Sequence, residues 1–178
     1  MMKKTRMLAL LLAAVMCLSL AACGQKDEGK TPAAKTPEEL ATAYTQAING
    51  ARDDELNEFF PVMTKGDDTD PTNAEMTFAL LGFTPEDTEA YGVSMSLMNV
   101  SAYAIVAVKP AEGKEETVQK GLENYIEAQK GNFQFYLEDQ YEIASSAKLE
   151  KLSDGTIVLV MCEGQDTVFD SIKNALNG

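Results

Sequence analysis

Residues 93–108 read VSMSLMNVSAYAIVAV, and this stretch decides the fold. Val93, Met95 and Leu97 alternate with Ser94, Ser96 and Met98, the period of two that marks a strand with one better-buried face. Asn99-Val100-Ser101 supplies a turn. Ala102 to Val108 is then apolar at every position, as expected of a central strand covered on both sides. Lys109-Pro110 ends it, because proline has no N–H to continue a ladder. A second hairpin lies near the C-terminus: Lys148 to Leu152, the turn Ser153-Asp154-Gly155, and the apolar run Thr156 to Cys162. Asp-Gly there supplies the positive backbone dihedrals of a tight turn.

Helical patterns flank both hairpins. Thr36-Pro37-Glu38-Glu39 has the form of a capping box with proline at the first helical position, followed by Leu40, Tyr44, Ala47 and Ile48 on one face and a stop at Asn49-Gly50. Asp53 to Phe60 reads as a short helix with Leu56, Phe59 and Phe60 inward, ended by Pro61. Asn73 to Leu81 reads as another, and Thr84-Pro85-Glu86-Asp87 caps a short one leading into Tyr91. Between the hairpins, Val118, Leu122, Tyr125, Ile126 and Gln129 recur at helical spacing, and Phe133 to Ala144 suggests a further helix. Val168, Phe169, Ile172 and Leu176 align on a last helix from Gln165 to Leu176. The expectation is an α+β domain: about four strands, mainly antiparallel, in two hairpins separated by helices that pack on the sheet around one core.

Ahead of this domain stand Lys3, Lys4 and Arg6, a 16-residue apolar stretch from Met7 to Ala22, and Leu20-Ala21-Ala22-Cys23. A bilayer-crossing helix needs about 20 apolar residues, so the stretch suits an export signal better than a permanent span. Leu-Ala-Ala-Cys resembles the lipobox of bacterial lipoproteins, in which the chain is cut between the small residue and the cysteine and the thiol carries a diacylglycerol. On that reading residues 1–22 are a signal peptide, cleavage falls between Ala22 and Cys23, and Cys23 is the lipid-attachment residue. Residues 23–36 form a polar, Gly- and Pro-containing tether, and 37–178 the folded domain. Gly24 to Lys35 spans up to roughly 40 Å when stretched. The location expected is extracytoplasmic, anchored to the cell membrane by lipid on Cys23.

Charge and cysteine content bound the function further. All 28 acidic residues follow the signal while three of 15 basic ones lie within it, so the mature chain would carry a net charge of −16. Such a surface repels nucleic acid, which is excluded as a partner, and anionic lipid, which leaves attachment to the acyl chains. With Cys17 in the signal and Cys23 lipidated, Cys162 stands alone, so no intrachain disulfide forms. Its apolar strand context suits a small hydrophobe rather than a nucleophile.

The chain contains no histidine, which removes Ser-His-Asp and Cys-His nucleophiles and histidine metal sites. Ser145 and Lys148 have Ser-x-x-Lys spacing but lie at a helix-to-strand junction, not at a nucleophile elbow. Asp67, Asp68 and Asp70 in TKGDDTDPTN invite a calcium loop. Counting from Asp68, however, Asn73 occupies the glycine position and Ala79 the glutamate position of an EF-hand, so an acidic turn fits better. Tryptophan, the best sugar-stacking surface, is absent. Met63, Met76, Met95, Met98 and Met161 are spread over separate elements, as gap-filling core residues are. No cofactor or metal is expected.

LGFTPEDTEAYGVSMSLMNVSAYAIVAVK, the charged helix at Glu115 to Gln129, and AKLEKLSDGTIVLVM together resemble a family of small Gram-positive lipoproteins that share a domain of unknown function, the one numbered four-three-five-eight. The resemblance covers roughly residues 37–177 and implies the fold and the anchor; it carries no catalytic or ligand residues. The function expected is a non-catalytic binding or interaction module of the bacterial envelope, not an enzyme, whose partner is an envelope protein or cell-wall ligand. The alternatives are an envelope hydrolase using a carboxylate pair and a small ligand-capturing lipoprotein of an importer.

Overall fold

A computed structural model describes residues 35–66 and 71–177. Ala22, Cys23, the signal and nearly all of the tether lie outside the described residues, as do Asp67, Asp68 and Asp70 of the acidic turn.

Five strands form one antiparallel sheet in the order β1-β2-β3-β5-β4: β1 Met63–Thr64, β2 Thr88–Met95, β3 Ala104–Pro110, β4 Lys148–Lys151 and β5 Ile157–Met161. Among the described residues six α-helices accompany it: α1 Pro37–Gly50, α2 Asp54–Phe59, α3 Pro71–Leu81, α4 Glu115–Phe133, α5 Glu138–Ser145 and α6 Gln165–Asn177. The α+β class and both hairpins are as the sequence indicates. The strand beyond the expected four is β1, a two-residue edge paired to Val93 and Gly92, too short to carry a periodic signal.

Each face of the sheet has its own apolar layer, where one core was expected. On one side Tyr91, Val93, Val106, Val108, Leu159 and Met161 meet Leu81 of α3, Val118, Leu122 and Tyr125 of α4, and Ala144 of α5. On the other, Ala90, Ile105, Ala107, Val158 and Val160 meet Leu40, Tyr44, Ala47 and Ile48 of α1 and Phe169 and Ile172 of α6. Strands covered twice must be apolar at consecutive positions, which is why AYAIVAV and TIVLVM show no alternation.

Several boundaries move for local reasons. β2 begins at Thr88, directly after the 3₁₀ turn Pro85–Asp87, and ends before Leu97. α3 starts at Pro71, two residues earlier than the pattern suggested, with proline at its first position. Phe133 closes α4 as a fully buried residue instead of opening the next helix, and α5 begins at Glu138. Phe59, expected inward, is 67% exposed, because α2 is too short to bury more than one side. In the β4–β5 hairpin only Gly155 has a positive φ, +85°. Gly155 N–H donates to Leu152 O and Leu152 N–H to Thr156 O, so Ser153-Asp154-Gly155 is the connection, a three-residue loop with only its glycine at the left-handed position.

α1 is seated hard on β2. A Cβ on Gly92 would lie 2.8 Å from Tyr44 Cβ and 3.5 Å from Ile48 Cδ1, so the approach requires glycine. Thr36 and Glu39 close the capping box at its start, with Glu39 N–H to Thr36 Oγ1 at 3.2 Å and Thr36 N–H to Glu39 Oε2 at 2.8 Å. Tyr44 reaches Thr156 Oγ1 (2.9 Å) at the beginning of β5, whereas Arg52, just past the helix end, reaches the end of β2 and the beginning of β3. α1 therefore runs the length of the sheet and delivers Arg52 to the end opposite its own start.

Candidate functional site

At that end, a cleft of about 400 Å³ opens between the α1–α2 corner, the β2–β3 end of the sheet, α5 and the end of β5. Arg52, Leu56, Phe60, Tyr103, Gln140 and Cys162 are among its walls. The volume falls within the range of small-molecule sites.

Arg52 organises it. Its Nε donates to Asn57 Oδ1 (2.9 Å) and its Nη2 to Asn49 Oδ1 (2.9 Å). Its Nη1 faces Phe60 O (3.0 Å), Ser94 Oγ (2.6 Å) and Tyr103 Oη (2.6 Å). Every acceptor is neutral. The ion pairs among the described residues, Lys114–Asp87, Lys130–Glu127, Lys148–Asp166, Lys151–Glu115 and Lys173–Glu150, all use lysine. The guanidinium is thus held by dipoles, which fix its position without cancelling its charge. It has five N–H groups, and one of the two on Nη2 has no acceptor among the described residues.

The surrounding groups are ordered by the same set of bonds. Ser94 is buried and donates to Phe60 O at 2.7 Å while accepting from Arg52. Phe60 stacks on Tyr103 with ring centroids 4.2 Å apart and planes 15° from parallel. Tyr103 is 6% exposed; its hydroxyl oxygen accepts from Arg52, and its own proton has no acceptor among the described residues. Across the cleft, Gln140 Oε1 accepts from Ala102 N–H at 2.8 Å, fastening α5 to the start of β3. Asp53 and Glu163 stand exposed among the lining residues, and Asp53 Oδ1 is committed to capping α2 through Leu56 N–H (2.8 Å).

Cys162 is a free, buried thiol facing this cleft, as its strand context indicated. Burial pushes its pKa up to about 11, with the Arg52 charge opposing and Glu163 adding to the rise. At neutral pH it is a thiol, not a nucleophilic thiolate. Ser145 and Lys148, the pair at Ser-x-x-Lys spacing, end α5 and begin β4, and Lys148 Nζ is spent on Asp166 at 2.6 Å.

Sequence reading missed the cleft altogether. Ser94 and Ser96 alternate with apolar residues, a pattern that places them on the less buried face, yet both are buried. The available signal was the arginine itself, the one described arginine in an acidic chain whose cations are otherwise lysines, placed just after a helix stop. Among the described residues no three His, Cys, Asp or Glu side chains converge on a metal-binding geometry, and no helix is long and apolar enough to cross a membrane.

Neither a curated protein nor a solved structure matches the chain. A family profile does: it runs from β1 to the end of β5, residues 63–162, and so contains the whole sheet, Ser94, Tyr103, Gln140 and Cys162 but not the helix that delivers Arg52. The chain belongs to the family defined by the domain of unknown function DUF4358.

Proposed function

We propose that this protein is a non-catalytic binding module of the bacterial envelope, anchored by lipid on Cys23 after cleavage behind Ala22, and that the Arg52 cleft is its binding site. The observation that carries the reading is the fixed, uncompensated guanidinium in a cavity of ligand size. The chemistry around it suits holding a molecule rather than converting one. The Cys162 thiol is protonated at neutral pH and so is not a nucleophile. A carboxylate-pair hydrolase needs one carboxyl held up as a general acid. Asp87 and Asp139 are both held below the ordinary carboxyl range, the first mainly by Lys114 and the second mainly by the Gln140 side chain.

The position of the cleft agrees with attachment through the N-terminus. From Thr36 to Arg52 the helical path is about 24 Å long at 1.5 Å per residue. The cleft thus lies at the end of the domain away from Thr36, the side on which the tether would join it.

The experiment is capture and recovery. Purified protein is incubated with an envelope extract, washed, and heat-released; mass spectrometry is expected to find the bound molecule chemically unchanged. Conversion of that molecule into a product, abolished by replacing one Asp or Glu, would make the protein a hydrolase. Fractionation tests the anchor separately: wild type is expected with membranes and Cys23→Ala in the soluble fraction. A Cys23→Ala protein that stays with membranes refutes the lipid attachment.

A further inference from the structure

Resting on the reading of the Arg52 cleft as a binding site, we infer that its ligand is a small zwitterion: an amino acid with an apolar side chain, its carboxylate on Arg52 and Tyr103 and its ammonium toward Glu163 and Asp53. Three features of the cleft select this class together.

The inner end of the cavity offers donors and no anion. Arg52 retains its charge and one free Nη2 hydrogen, and the Tyr103 hydroxyl, fixed by accepting from Nη1, has its own proton to give. Tyr103 is more than nine-tenths buried and lines the cavity, so that proton, which has no acceptor among the described residues, is available to a ligand there. A carboxylate accepts from both at once, and charge-assisted bonds of this kind are the strong ones. The outer end has the opposite sign. Glu163 and Asp53 line the same cavity from exposed positions, so a ligand that is only an anion meets repulsion as it enters. That both signs reach one small space is seen at the Cys162 thiol, which senses Arg52 and Glu163 with opposite effects. Between the poles, Leu56, Ile105, Ile143 and Val168 provide an apolar wall beside the flat Phe60–Tyr103 stack. An apolar side chain is accommodated there without stranding a polar group.

Calorimetry on the full-length chain with leucine, N-acetylleucine and leucinamide separates the contributions. Leucine is expected to bind at least roughly tenfold more tightly than either analogue, since each lacks one charged partner. Tyr103→Phe keeps the stack and removes the unused donor, so it is expected to weaken leucine by roughly tenfold while leaving leucinamide unaffected. Cys162 gives a second readout: leucine is expected to slow its alkylation, measured on the Cys162 peptide by mass spectrometry. Equal binding of leucinamide, equal binding of N-acetylleucine, or no binding of leucine, valine, methionine or phenylalanine would each overturn the assignment. If these amino acids fail while the protein still captures an unchanged envelope molecule, the zwitterion is wrong and the binding module stands.

Discussion

Replacing Arg52 with methionine keeps the unbranched stem and removes the guanidinium donors that tie the α1–α2 corner to the sheet. The cost is set by what each acceptor does afterwards. Asn49 and Asn57 are half-buried and their side-chain oxygens turn to water. Phe60 O keeps the Ser94 hydroxyl as a donor. The Tyr103 hydroxyl, however, loses its partner at 6% exposure, and Ser94 loses the charged donor at its oxygen at 1% exposure. Two hydrogen bonds from a charged donor to buried neutral acceptors contribute about 1.5 kcal/mol each at the low end of their range, so the expected loss is about 3 kcal/mol. A domain of this size has roughly 5–15 kcal/mol in total, so the variant folds but is measurably weaker. Urea unfolding followed by circular dichroism is expected to show a midpoint lower by roughly 1–2 M with an unchanged slope. Tyr103→Phe in both backgrounds completes a double-mutant cycle, with an expected coupling of about 1 kcal/mol or more. A loss below about 1 kcal/mol together with no coupling would refute the claim that Arg52 fastens the helices to the sheet.

Three other perturbations test neighbouring parts of the structure. Asp87, held at about 2 mainly by hydrogen bonding to Lys114 (2.8 Å), has a folded-state pKa below its unfolded value of 3.8; its contribution is full above pH 4 and is lost as pH falls from about 4 toward 2. Lys114 is half exposed, so solvent screens the pair and the contribution is about 1 kcal/mol, and Asp87→Asn is expected to flatten the acid limb of a stability-versus-pH curve by that amount; an unchanged limb refutes the assignment. Gly92→Ala forces a methyl group within 2.8 Å of Tyr44 Cβ, which can yield only if α1 shifts, and is expected to cost about 1–3 kcal/mol in chemical denaturation. Cys162, with its pKa raised to about 11, is expected to react with iodoacetamide at pH 8 far more slowly in the folded protein than in urea, and a comparable rate in both would show it accessible and ionised.

What the sequence made legible follows the ranges over which the signals act. Capping of α1 by Thr36 and Glu39, the helical stripe on α4 and α6, and the apolar runs of β3 and β5 are determined by residues within a few positions of one another, and each is present in the structure. The two-residue β1 is invisible because its existence depends on pairing with Val93 and Gly92, some 30 positions away. The burial of Ser94 is hidden for the same kind of reason. Serine at alternate positions ordinarily reports solvent, but here it reports a polar partner arriving from elsewhere in the chain, 42 residues earlier, which alternation does not encode.

The Arg52 cleft is the extreme case of this limit, and it also says where the chain's specificity resides. Its polar groups come from the loop after α1, the end of α2, β2 and the residue just before β3, and each is unremarkable in its own segment. They meet because glycine at position 92 lets α1 lie close on the sheet and because the length of that helix carries Arg52 the whole way along it. The apolar framework would fold much the same with a neutral side chain at position 52, since no member of either core layer requires a charge. A buried-side charge held only by dipoles is a cost to that framework, offset by its hydrogen bonds yet unneeded for the topology. Beyond the bonds that fasten it, the cleft keeps one Nη2 hydrogen of Arg52 and the Tyr103 proton with no acceptor among the described residues, and the leucine–leucinamide comparison is the measurement that tests whether a ligand takes them.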